Sequence, residues 1–156
     1  MFYKTIGGRT ITFLGCESST NIKVKNEEFK SINNLEELFL LLLNNGWTKD
    51  TVSNYYRDNY NRELNPTEGQ CTITGILVQE IFGGSLREVK VGEGYHTFNE
   101  IDGTFYDLAK DQFDIKNIDL DYSNTTLLNR EELLSNEDIN RRYNILKNNV
   151  INAINK

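Results

Sequence analysis

Proline, histidine, tryptophan and methionine each occur once in this 156-residue chain, and cysteine occurs twice. Cys16 and Cys71 lie far apart and form no metal-ligand spacing, so no metal site and no disulfide framework are expected. No apolar run approaches the length of a membrane span. The longest, Leu38 to Leu43, reads as a buried helix face. The opening Met1-Phe2-Tyr3-Lys4-Thr5 lacks the basic segment and apolar core of a signal peptide. Both thiols are therefore expected to be reduced, in a cytoplasm. Positive charge is also scarce: 17 Lys and Arg against 23 Asp and Glu leave a net charge of −6. That balance argues against a chain that wraps nucleic-acid phosphates. With no glycine-rich phosphate loop and no internal repeat, no cofactor is expected. Abundant asparagine with little proline reads as the mark of an AT-rich genome, such as a low-GC bacterium or its phage.

What is present suffices for one globular domain. Hydrophobic residues make up 38% and aromatics 11%, which supports a packed core rather than disorder. Residues 2–30 read as β structure. Thr10 to Leu14 is one strand with Cys16 at its end, and the alternating Asn21 to Lys25 is another. Asn34 caps a helix that runs to Asn45-Gly46. Thr48 to Ser53 opens a short helix. Residues 109–128 read as irregular, anchored by Phe113 and Ile115. A short helix at Asn129–Leu134 and a long one from Ser135-Asn136 to about Ile154 close the chain. Ile139, Tyr143, Leu146, Val150 and Ile154 form the apolar face of the long helix.

The central stretch is Asn65-Pro66-Thr67-Glu68-Gly69-Gln70-Cys71. It reads as a loop, sharply turned at Gly69, that delivers Cys71 to the first turn of a helix ending at Phe82 before Gly83-Gly84. Unpaired N–H groups and the positive end of the helix dipole favour a thiolate there. Strands follow at Ser85–Val91 and Tyr95–Ile101, then the hairpin turn Asp102-Gly103 and a return strand from Thr104 to Leu108. A two-residue turn pairs Ile101 with Thr104, Glu100 with Phe105, Asn99 with Tyr106 and Phe98 with Asp107. This places His96, Phe98, Phe105 and Asp107 on one face, with His96 and Asp107 diagonal neighbours. A one-residue slip would separate them. Cys71 as nucleophile, His96 as base and Asp107 as orienting acid form the candidate triad. Glu100 shares the face and competes with Asp107. Gln70 and Asn65 are the oxyanion or substrate candidates, beside the backbone N–H of Cys71.

Five blocks carry a resemblance: Trp47 to Thr51, Asn65 to Cys71, Leu77 to Gly84, Tyr95 to Asn99, and Tyr106-Asp107-Leu108 with Gln112-Phe113. Over about residues 38–150 they resemble the YunG-like family of small bacterial proteins. The resemblance implies the family's cysteine, histidine and aspartate at Cys71, His96 and Asp107, and carries no activity with it. More distantly, the order is similar to that of papain-like and transglutaminase-like cysteine enzymes, which hydrolyse or transfer acyl groups. The 25-residue interval from Cys71 to His96 leaves room for little more than one helix and one strand. The expected architecture is α+β: a papain-like or transglutaminase-like core whose central, cysteine-bearing helix packs on a small antiparallel sheet. Residues 1–156 form a single domain, with 1–30 an added β-hairpin that the core, 31–156, can lose. The expected activity is that of a cysteine hydrolase or acyltransferase acting on an amide, ester or thioester of a small molecule or peptide. The alternative is a non-catalytic binding or inhibitor protein, phage-encoded, whose acidic surface suits a basic protein partner. No membrane partner is expected.

Overall fold

The computed structural model describes residues 3–5 and 7–156; Phe2 and Ile6, within the first expected strand region, lie outside them. The architecture is α+β. A short pair, β1 (Tyr3–Lys4) and β2 (Thr10–Ile11), runs antiparallel. The main antiparallel sheet contains β3 (Ser85–Val91), β4 (Gly94–Ile101), β5 (Thr104–Tyr106) and β6 (Thr125–Leu128), in the order β5-β4-β3-β6. The larger helices are α1 (Leu35–Leu41), continued by a wider π turn over Leu42–Gly46, then α3 (Cys71–Phe82) and α6 (Glu137–Ile154). Short helices are α2 (Asn54–Arg57), α4 (Asp111–Asp114) and α5 (Arg130–Leu134). Among the described residues, no helix is long and apolar enough to cross a membrane.

The central helix α3 lies between the sheet and α6. Its apolar residues Ile73, Ile76, Leu77, Val78, Ile81 and Phe82 are all buried, which accounts for its nearly all-round hydrophobic sequence. Close approach to β4 requires glycine at position 75. A Cβ there would lie 3.0 Å from the Thr97 methyl and 3.1 Å from a Leu86 methyl. The Asn99 amide crosses the same gap and donates to the Gly75 carbonyl at 2.9 Å. On the other flank, the buried Trp47 indole donates to Thr74 Oγ1 at 2.9 Å. These contacts fix the height of α3 over the sheet, and so the place of Cys71.

The hairpin forms in the expected register over three pairs, Asn99 opposite Tyr106, Glu100 opposite Phe105 and Ile101 opposite Thr104, but β5 ends there, and Asp107 bridges to Leu14 instead of pairing with Phe98. Asp102 and Gly103 have φ of 50° and 83°, the double positive-φ turn that Asp-Gly favours. Asn34, Asn129 and Asn136 each accept a backbone N–H at the start of α1, α5 and α6.

Four local expectations are corrected. Asn21 to Lys25 is not a strand. Ile22 and Val24 alternate inward because the extended chain lies on the core, and its backbone bonds to helices: Leu35 N–H to Ile22 O, and Lys25 N–H to Ile81 O. Cys16 opens a 3-10 turn (Cys16–Asn21) instead of ending a strand. The 109–128 region contains α4 and also β6, whose register is set by the edge of β3. Thr48–Ser53 is a turn, and the short helix begins one residue later, at Asn54.

The N-terminal segment shares the main core. Ile11, Phe13 and Phe29 are buried within it, and the Phe13 ring lies 4.5 Å from that of Phe39. The segment also braces the return strand. The Leu14 carbonyl accepts the Asp107 N–H at 3.2 Å, and Arg9 forms a two-pronged ion pair with Asp111.

Candidate active site

Cys71 is the first residue of α3, and no side chain caps this helix. The N–H groups of its first turn, which an asparagine occupies in α1, α5 and α6, are left for the thiol and whatever binds beside it. Gly69, at φ 71°, makes the approach to the helix possible. A Cβ there would press on Val52, Tyr56 and Ser53 at 3.0–3.2 Å.

His96 projects from the first half of β4. The short β5 ends opposite Asn99, so it does not pair with this part of β4. The imidazole is fully buried, with its Nε2 2.7 Å from Asp107 Oδ2. Its edge packs against Phe113, with ring centroids 4.7 Å apart. No hydrogen bond of ordinary geometry reaches the buried Nδ1, and with Nε2 engaged it is the ring nitrogen that interacts with the neighbouring Cys71 thiol. Catalytic hydrogen bonds are often loose in ligand-free structures.

Asp107 is held from three sides. Oδ2 also accepts the Tyr122 hydroxyl at 2.6 Å, and Oδ1 accepts the Ala109 N–H at 3.2 Å. Tyr122 stacks edgewise on Phe98, which shields the carboxylate from water. Glu100, the competing acid, instead faces Arg87 at 3.4 Å. Asp107 is therefore the acid that reaches the ring.

The electrostatics follow from this packing. Burial pushes the Cys71 thiol up, but the neighbouring His96 charge and hydrogen bonding, with the Thr97 N–H and the Thr72 hydroxyl, bring it below its usual value. Burial pulls His96 down, but the charges of Asp107 and Cys71 outweigh it and lift the imidazole to about 10. Burial, then the Asp107 charge and hydrogen bond, hold Tyr122 protonated far above the ordinary phenol range. The two shifts at Cys71 and His96 favour a thiolate–imidazolium pair near neutral pH.

A cleft of about 180 Å³ opens over the thiol, lined among others by Ser53, Tyr56, Cys71, His96, Gln112 and Arg142. Gln70 and Asn65 do not line it. The Gln70 side chain is buried and donates to the Thr48 carbonyl at 3.2 Å, and Asn65 donates to Glu68 at 3.3 Å. Both serve the loop that presents Cys71. Gln112 is the amide at the cleft, tied to the Ala109 carbonyl and the Gly69 N–H. Arg142 is buried beside it, bonded to Asp138 and the Thr51 carbonyl. Tyr122 is the residue that sequence reasoning missed; nothing in the irregular stretch around it announces a partner 15 positions away. The thiol of Cys16, the other free cysteine, accepts the Thr12 hydroxyl at 3.3 Å and donates to Glu17 at 3.5 Å. Among the described residues, no group of three or more metal-ligating side chains occurs.

In this α+β fold the Cys71 thiol and the His96 imidazole thus line one cleft, and the Asp107 carboxylate is bonded to the imidazole. The chain belongs to the YunG family: it matches the family described as YunG protein over residues 34–155. It is also 32% identical over 72 residues to the uncharacterized protein YunG of Bacillus subtilis (strain 168), covering 46% of this chain and 57% of that protein. The chain thus spans little more than half the length of that curated relative. No solved structure matches.

Proposed function

We propose that this protein is a cysteine hydrolase or acyltransferase acting on an amide, ester or thioester in the cytoplasm, with a site related to those of papain-like and transglutaminase-like enzymes. The observation that carries the reading is His96: one ring nitrogen is bonded to a buried carboxylate, and the other is left beside a thiol that opens an uncapped helix.

The chemistry runs in two halves. The Cys71 thiolate attacks the substrate's carbonyl carbon and forms a C–S bond. The carbonyl electrons move to oxygen, where the Cys71 N–H at the helix start stabilises the oxyanion. The oxyanion then collapses, the bond to the leaving nitrogen, oxygen or sulfur breaks, and His96 gives its proton to that atom. In the second half, water or an acceptor amine, alcohol or thiol loses its proton to His96 and attacks the thioester. The C–S bond breaks and the thiolate is restored. Asp107 holds the imidazole in one tautomer and stabilises its charged form. Ser53 lines the same cleft, and its hydroxyl is the candidate polar contact for the substrate.

Incubating the protein with a panel of activated esters and thioesters, quenching in acid and weighing it intact tests this. An acyl adduct on Cys71 that is absent in Cys71→Ala supports the reading. No adduct across the panel, with Cys71 unreactive toward small electrophiles, contradicts it and favours a cleft used only for binding.

A further inference from the structure

Among the described residues, large apolar side chains exposed to solvent are few, and three of them converge at one place. Tyr55 is 88% exposed, Tyr95 65% and Ile118 39%. All three line a groove of about 510 Å³ that continues the Cys71 cleft, with Tyr56, Tyr95 and Phe113 common to both. Exposed tyrosines gathered along a groove cost solubility without helping the core, and a patch of this kind usually marks a binding surface. The Tyr55 ring stands edgewise on Tyr56 at 4.8 Å, and Phe113, which packs on His96, forms the inner end. The charged residues at the groove, Glu93 and Lys116, have opposite sign, and Lys116 lies 3.6 Å from Glu68. Arg142, in the adjoining cleft, is already matched by Asp138. The groove therefore presents mainly apolar and aromatic surface, with both cations matched by acids and no positive charge left to attract an anion.

We infer that this groove holds a bulky, neutral, apolar group carried by the substrate close to its reacting acyl carbon, such as an aromatic ring or a branched hydrocarbon. The inference rests on the acyl-transfer reading and narrows its substrate class. Its volume falls within the range of pockets that enclose a small organic molecule. The continuity with the cleft places such a group next to the carbon that Cys71 attacks.

The test compares alkylation of Cys71 by iodoacetamide and by N-benzyliodoacetamide, each normalised to its rate with glutathione. In both reagents the sulfur bonds to the same CH₂ carbon and iodide leaves, so the ratio reports only the added ring. The groove predicts a preference of about tenfold for the benzyl reagent, the effect of partly burying a phenyl group. Tyr55→Ser and Ile118→Asn, both at exposed positions, should each lower that ratio about threefold. A normalised ratio near one, or a preference that survives both substitutions, overturns the groove. Slow alkylation of Cys71 by iodoacetamide itself would instead overturn the acyl-transfer reading, and with it the groove's role as a substrate site. Fast iodoacetamide labelling without a benzyl preference would overturn the groove alone.

Discussion

His96 and Asp107 meet at 2.7 Å across the β4–β5 hairpin, eleven positions apart in the chain, with both side chains buried. The pairing depends on the Asp102-Gly103 turn, since a one-residue slip would send the two side chains to opposite faces. Asp107→Asn should therefore slow alkylation of Cys71 at pH 7 by about tenfold or more, because the imidazolium loses its partner charge. Glu100→Gln, which removes the ion pair with Arg87, should change the rate little. Asp102→Asn should leave fold and rate nearly intact, since Asn-Gly makes the same turn. Stopped-flow or mass-spectrometric labelling of the three variants would show the order. Equal losses in Glu100→Gln and Asp107→Asn would remove the assignment of Asp107.

Tyr122→Phe separates holding the acid from doing chemistry. It removes one donor to a buried carboxylate, at a cost of about 1.5–3 kcal/mol in stability. The His96–Asp107 contact remains, so the Cys71 labelling rate should fall less than about threefold. Urea unfolding alongside labelling reads both. A rate loss as large as that of Asp107→Asn would make Tyr122 part of the working site.

Gly75→Ala sets two effects against each other. Alanine gains about 1 kcal/mol of helix propensity. Its methyl group would press on Thr97 and Leu86 at 3.0–3.1 Å, and overpacking costs about 1–3 kcal/mol. The net should be destabilising, and any relief lifts α3 away from β4, carrying Cys71 with it. Thermal melting and labelling should both worsen. A more stable variant would mean that α3 has slack over the sheet.

Deleting residues 1–30 removes Ile11, Phe13 and Phe29 from the core. At about 1.5–3 kcal/mol for each buried side chain, the loss rivals the whole stability of a small domain. It also removes the Leu14 carbonyl that anchors Asp107. The truncated chain should aggregate or melt without cooperativity, although the family match begins only at residue 34. A soluble, cooperatively melting fragment with a reactive Cys71 would show that the segment is an accessory.

The parts of the site that were legible in the sequence are those set by local rules. The bounds of α3, the Asp-Gly register and the asparagine caps each follow from a few neighbouring residues. What was not legible depends on tertiary partners. Ile22 and Val24 alternate as a strand would, yet their segment bonds to helices, because period-two burial does not say what the backbone pairs with. Thr125 to Leu128 is too short to show alternation and becomes a strand only against β3. Gln70 has the amide that an oxyanion site needs, but the nearby Thr48 carbonyl takes it. Tyr122 reaches Asp107 through loop geometry that no periodicity encodes.

The most direct test of the central claim is the pH dependence of Cys71 alkylation by limiting iodoacetamide, with Cys16 as the internal control. Cys71 lies below its ordinary value, so its thiolate appears as pH rises through that lowered point. His96 is raised to about 10, so the imidazolium persists across neutral pH and is lost only as pH climbs through that value. The account predicts that Cys71 labels faster than Cys16 at pH 7. Its rate should already be on a plateau below the ordinary thiol value of about 8.5, and His96→Gln should move the rise upward. Preferential labelling of Cys16, or a Cys71 profile that rises only near the ordinary thiol value and ignores His96→Gln, would contradict it.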